Sequence, residues 1–309
     1  MARRAPRTKP QTLLRGAVPT AFHRSPGWRR RRRPLPLRPM PYASINGTRL
    51  YYEDTGGIGA PILFSHGLLW SCRMFDAQVN ALRQEGFRCI AYDHRGQGRS
   101  DPVVTRSVTI EQCYEDALAL IEQLTIGPCH VAGLSMGGFV AMRLGARHPA
   151  MVRSLILMET SADAEPIENL GKYKRLNWTW KWLGPSLIAT PVMQVMFSQS
   201  FLRDPDQARL RTEQEALLRG NRRDIWRAVN GVIEREAIAP ELGKIRCPVT
   251  IIVGEEDVAT VPAKAERIQA LIGGSKLVRV PRAGHTSTVE QPVLVTEAIR
   301  EHLGTCQLV

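Results

Sequence analysis

The chain has 309 residues, 43% of them hydrophobic, enough to bury one sizeable core with a smaller subdomain inserted into it. Its formal charge of +13 would suit a nucleic-acid or membrane partner, but the excess is local. Residues 1–40 carry twelve Lys or Arg and no Asp or Glu, which leaves 30 basic against 29 acidic residues in a nearly neutral body. No run of about eighteen apolar residues and no secretory h-region is present, so neither a membrane nor a nucleic-acid partner is expected, and the location expected is cytoplasmic. The six cysteines lack metal or redox spacing and read as reduced, mostly buried thiols, with no metal implied.

Residues 1–39, dense in proline and including the run Arg29–Arg33, form an expected disordered basic extension. From Met40 the character changes: Ser44 to Tyr52 reads as two strands around an Asn46-Gly47 turn. Short apolar runs then alternate with amphipathic stretches, the signature of a parallel sheet covered by helices. Strands are expected at Pro61–Phe64, Phe87–Tyr92, Cys129–Ala132 and Val152–Met158, with helices at Phe75–Leu82, Ile110–Leu124 and Phe139–Ala146. Residues 164–242 break the alternation; they are rich in Trp, Arg and Gln, and Ile225, Val229, Val232 and Ile233 have helical spacing. Trp178, Trp180, Trp182 and Trp226 suggest apolar packing or pocket surfaces there. The alternation resumes with strands at Val249–Val253 and Lys276–Val280 and helices at Ala263–Ile272 and Pro292–Leu303.

Gly133-Leu134-Ser135-Met136-Gly137 lies where a strand meets a helix, the context that a nucleophile elbow requires. A turn that sharp leaves no room for side chains two residues either side of the serine. A serine hydroxyl needs a base, and in this chain order an acid and then a histidine follow the nucleophile. His285, after the last expected strand, is the best placed of the seven histidines. His66 and His94 precede the serine, and His23, His130, His148 and His302 read as structural. The orienting acid should end the preceding strand, where Glu255, Glu256 and Asp257 all stand; Asp257 is the choice, and Asp163 is a further rival. Ser65-His66-Gly67-Leu68 follows a strand and offers the Leu68 N–H as one half of an oxyanion hole, with Met136 N–H as the other. Asp93 to Ser100 has glycines and basic residues but no third glycine or P-loop lysine, so it reads as a structural turn.

These five motifs in this order resemble the α/β-hydrolases, and more narrowly the bacterial branch of 3-oxoadipate enol-lactonases, small esterases and cofactor-free haloperoxidases. The resemblance covers residues 42–303. It implies a mostly parallel eight-stranded sheet flanked by helices, with a core of residues 40–163 and 243–309 and a helical cap of residues 164–242. It further implies Ser135, His285 and Asp257 as a catalytic triad, Leu68 and Met136 as oxyanion donors, no cofactor, and a small-molecule ester or lactone as substrate. Perhydrolysis or C–C bond hydrolysis on the same triad, and a non-catalytic binding protein on the same fold, are the alternatives. Trp70 is compatible with a haloperoxidase-like member or with a plain pocket wall.

Overall fold

The computed structural model describes residues 42–306; the expectations for residues 1–39 and for His23 lie outside them. β1 (Tyr42–Ile45) and β2 (Thr48–Asp54) form the expected hairpin. Asn46 and Gly47 both have positive φ, 46° and 75°, which the right-handed strand twist requires of a two-residue turn.

The remaining strands are β3 (Pro61–Ser65), β4 (Arg88–Tyr92), β5 (Cys129–Leu134), β6 (Val152–Met158), β7 (Val249–Gly254) and β8 (Lys276–Val280). They join one eight-stranded sheet in the order β1-β2-β4-β3-β5-β6-β7-β8, parallel from β4 to β8. Strands covered on both faces read as unbroken apolar runs, and β5 and β7 are buried along their whole length. Between them run α1 (Asp76–Gln84), α2 (Ile110–Gln123) and α3 (Met136–Arg147). α2 starts on a capping box in which the Thr109 hydroxyl accepts from Gln112 N–H while the Gln112 side chain accepts from Thr109 N–H.

Between β6 and β7 the described chain is helical: α4 (Ile167–Leu183), α5 (Ala189–Met196), α6 (Gln199–Arg203), α7 (Ala208–Arg219) and α8 (Trp226–Ile233). α9 (Pro262–Leu271), the short α10 (Ser287–Glu290) and α11 (Pro292–Cys306) complete the chain; α10 is too short for a periodic signal. The four tryptophans do not share one role: Trp180 is buried and Trp226 half-buried, whereas Trp178 and Trp182 are 59% and 57% exposed. Helical periodicity alone did not separate the two faces of α4.

The chain leaves β3 toward β4 on one side and returns to β5 on the other. The strand order therefore reverses between β3 and β5, and a crevice opens beyond their carboxyl ends. Those ends carry His66 to Leu68 and Ser135.

Candidate active site

Ser135 sits between β5 and α3 with φ 52° and ψ −111°, a conformation that costs a non-glycine residue on the order of 1–3 kcal/mol. Three bonds hold it there. Ser135 N–H donates to Met158 O at 2.9 Å, and its carbonyl accepts from the Thr160 hydroxyl at 2.9 Å and from Phe139 N–H at 3.1 Å. The glycines are sterically required: a Cβ on Gly133 would overlap the Gly137 carbonyl, and one on Gly137 would overlap Ser65 O.

Of the carboxylates after β7, Asp257 is the one against His285. His285 Nδ1 and Asp257 Oδ2 are 2.9 Å apart, both residues buried. Asp257 also accepts from Ala259 N–H, Thr260 N–H and the Thr260 hydroxyl at 2.7–3.0 Å. Burial pushes its carboxyl up, but the His285 ring and these bonds outweigh that and hold it below the usual aspartate range. An ionised carboxylate only accepts, so the network assigns the imidazole proton to Nδ1 and leaves a lone pair on Nε2. Glu256 instead accepts from Ser200 N–H and its hydroxyl on α6, Glu255 is exposed, and Asp163 pairs with Arg267 of α9 at 2.9 Å.

Ser135 and His285 line one cavity with about 910 Å³ of empty space including its open mouth, whose wall also holds Leu68, Thr260, Tyr173 and Trp180. No hydrogen bond joins Ser135 to His285; such contacts are often long before substrate binds. Neither Leu68 N–H nor Met136 N–H finds an acceptor among the described residues. Met136 opens α3, where the helix dipole favours negative charge.

The segment Asp93 to Ser100 braces this edge. Asp93 accepts from Cys72 N–H at 2.7 Å and Arg99 N–H at 2.8 Å, and Gln97 Oε1 accepts from Leu69 N–H at 3.0 Å. His66 Nδ1–H donates to Gly67 O at 2.7 Å, and its Nε2 accepts from His94 N–H at 3.0 Å, so these rings tie β3 to β4. Burial pushes both imidazoles toward the neutral form. His130, His148 and His302 bond Ser154, Tyr114 and Thr250 away from the cavity. Trp70 packs edge-on against Phe197 with centroids 5.8 Å apart and lines a neighbouring cavity.

Sequence reasoning missed three residues here. Thr260 touches both Asp257 and His285, the latter at 3.2 Å. Glu290 of α10 accepts from Gly284 N–H and Thr286 N–H, on either side of His285, at 3.0 and 3.3 Å, and from Ser198 N–H at 2.9 Å. Burial pushes its carboxyl up, and those bonds pull part of the way back. Glu159, directly after β6, is fully buried, and burial, with the nearby Asp257 and Glu290 charges, pushes its carboxyl well above the usual range. Its signal was an acid directly after an apolar strand, the context that also offered Glu255, Glu256 and Asp257. Among the described residues no group of three or more His, Cys, Asp or Glu is arranged to hold a metal ion, and no helix is long and apolar enough to cross a membrane.

The chain is similar to a thermophilic esterase from Thermogutta terrifontis, with 30% identity and a TM-score of 0.77 over 84% of this chain and 94% of that one. It is similar also to the enol-lactonase from Burkholderia xenovorans LB400, with 27% identity and a TM-score of 0.78 over 85% and 100%. A Mycobacterium tuberculosis protein named for non-heme bromoperoxidase activity is 28% identical over 261 residues, 81% of this chain and 95% of that one. Other curated matches, 36% to 40% identical, span only 41% to 45% of the relatives' length. Residues 58–292 match the hydrolase family described as serine aminopeptidase, S33, and with its mostly parallel eight-stranded sheet the chain belongs to that family of α/β-hydrolases.

Proposed function

We propose that this hydrolase cleaves a small carboxylic ester or lactone in two steps. Ser135 attacks the carbonyl carbon while His285 Nε2 takes the hydroxyl proton, and Asp257 stabilises the resulting imidazolium. The carbonyl oxygen, now an oxyanion, accepts from Leu68 and Met136 N–H; the tetrahedral intermediate then expels the alcohol, protonated by His285, and leaves an acyl-Ser135. Water, activated by the same histidine, frees the acid and restores the serine. No step calls for a cofactor. The observation that carries this reading is the Asp257–His285 bond, which fixes the tautomer, on a histidine that shares its cavity with Ser135.

An aminopeptidase would need an unpaired carboxylate to hold the substrate ammonium. Glu165, on the cavity wall, is already paired with Arg235 at 2.8 Å. The esterase and the enol-lactonase named above support the ester reading. Residues 164–242 act as a cap over the cavity, the site of action is the cytoplasm, and residues 1–39 serve neither folding nor hydrolysis.

The test is a panel of nitrophenyl esters and lactones offered to the native chain and to Ser135→Ala. The serine variant should lose roughly 10³-fold or more of any hydrolysis observed. Near-native turnover in the folded variant would remove Ser135 from the mechanism.

A further inference from the structure

The cavity that opens on Ser135 is apolar over most of its wall, with Leu176, Ile188, Val192, Met196, Val229 and Ile233 on it, but one sector is not. There Arg235 and Glu165 pair through Nη1 and Oε2 at 2.8 Å, their side chains only 2% and 10% exposed. Arg235 Nε donates to Asp163 O at 3.1 Å, and Nη1 donates also to Val232 O at 2.8 Å. Nη2 donates to nothing among the described residues, although the residue lines the cavity. Tyr173 lines the same cavity, and its hydroxyl makes no hydrogen bond among the described residues either. Burial and the nearby Glu165 push its phenol above the ordinary value of 10.0, so the hydroxyl keeps its proton for donation.

The guanidinium packs against the helix that follows Ser135. Its carbon lies 4.5 Å from the centroid of the Phe139 ring, and Phe139 follows Ser135 by one helical turn, with Phe139 N–H on Ser135 O. Ser135, Tyr173 and Arg235 line the same cavity, so a substrate whose carbonyl meets Ser135 can extend along the wall to these donors. Neither atom is sealed from solvent, and neither has a protein acceptor among the described residues, so each can exchange a water for an acceptor that enters the cavity.

We propose that this sector is a recognition subsite for a neutral carbonyl oxygen carried by the substrate several bonds beyond its scissile group, with Arg235 Nη2 and Tyr173 Oη as the donors. The occupant is neutral because Glu165 already balances the guanidinium. A substrate carboxylate would bring an uncompensated negative charge into a wall of low polarity. The inference rests on the hydrolase reading for where the scissile carbonyl sits, and it names the substrate class as an oxo ester or oxo lactone.

Binding to Ser135→Ala tests it without turnover. Ethyl 5-oxohexanoate, ethyl hexanoate and monoethyl adipate are titrated against that variant by calorimetry. The oxo ester should bind roughly 10-fold more tightly than either of the others, the worth of a hydrogen bond from a charged donor. Adding Arg235→Met together with Glu165→Gln, so that no carboxylate is orphaned, should bring the oxo and plain esters to equal affinity. Should that variant not fold, Tyr173→Phe reads the same ratio: a fall of about threefold supports the subsite, and an unchanged ratio overturns it. Equal affinities in Ser135→Ala itself, a ratio that survives loss of Arg235, or tightest binding of the adipate overturns it as well. If the native chain hydrolyses no ester yet the binding ratio holds, the hydrolase reading fails and the subsite stands; Ser135-dependent hydrolysis without a ratio gives the reverse.

Discussion

The carboxyl edge of the sheet and the helical segment from α4 to α8 face the same cavity but are constrained in different ways. At the sheet edge the backbone dictates the residues. Ser135 occupies a strained turn, Gly133 and Gly137 have no space for a Cβ, and Asp257 is filled with donors from its own loop. Between β6 and β7 the cavity wall is assembled from distant positions: Arg235, just after α8, meets Glu165, just before α4, across 70 residues, and Trp178 and Trp182 face outward on the helix that buries Trp180. Bond cleavage needs atoms fixed to within fractions of an ångström, and that demand leaves local motifs. Choosing a substrate needs only the right side chains on a wall, and these can come from anywhere in the segment.

The largest effect expected at the fixed edge is from Asp257→Asn. An amide in that position favours the wrong tautomer of His285, and kcat should fall by roughly 10⁴-fold. Glu256→Gln, whose carboxylate engages Ser200 instead, should leave kcat within about twofold, since surface-side changes away from the reacting atoms have small effects. A larger loss in Glu256→Gln than in Asp257→Asn, by steady-state kinetics, would move the acid.

Glu290→Gln sharpens the comparison, because Glu290 belongs to both regions. It accepts from the backbone on either side of His285 and from Ser198, which caps α6. A glutamine turns one acceptor into a donor facing those N–H groups. The resulting displacement of His285 should lower kcat roughly 10- to 100-fold with little change in KM. A purely structural role would lower Tm and leave kcat per folded molecule intact.

Much of the edge was legible in the sequence and little of the wall was. Gly133-x-Ser135-x-Gly137 is local because the turn is local, and the strands showed as apolar runs because both faces of the sheet are covered. Glu290 and Thr260 were not legible, since their role is to accept or donate to residues that only the fold brings near. Glu159 was passed over for Asp163, though it stands directly at the end of β6; Asp163 lies four residues on, paired with Arg267. Arg235 and Glu165 carried no signal, because a buried ion pair looks like two surface charges until the helices are packed.

A smaller effect is expected from Glu159→Gln, read as the pH dependence of Tm. Burial raises this carboxyl in the folded chain, so the native state keeps a proton that the unfolded chain releases above its ordinary 4.5. The stability it contributes is complete below that value and is lost as pH rises through the folded pKa. Glutamine has no such slope. The variant should therefore exceed the native Tm by roughly 2–4 °C at about pH 8, with the gap closing as the pH falls toward 4.5. A gap that grows on acidification would reverse the sign.

The smallest effect belongs to residues 1–39. Among the described residues strand pairing and the core begin at Tyr42 and Ala43, and a chain starting at Met40 should match the full chain in Tm and turnover within error. A large loss of either would make the arm functional.

The central claim is that Ser135 is the atom donor of a covalent intermediate, and a fluorophosphonate tests it most directly. One equivalent should add to the native chain, with the adduct mapped by peptide mass spectrometry to Ser135. Labelling should be lost in Ser135→Ala and slowed at least roughly 10³-fold in His285→Ala. A chain that hydrolyses esters while its adduct lies elsewhere, or that labels equally fast without His285, would contradict the account.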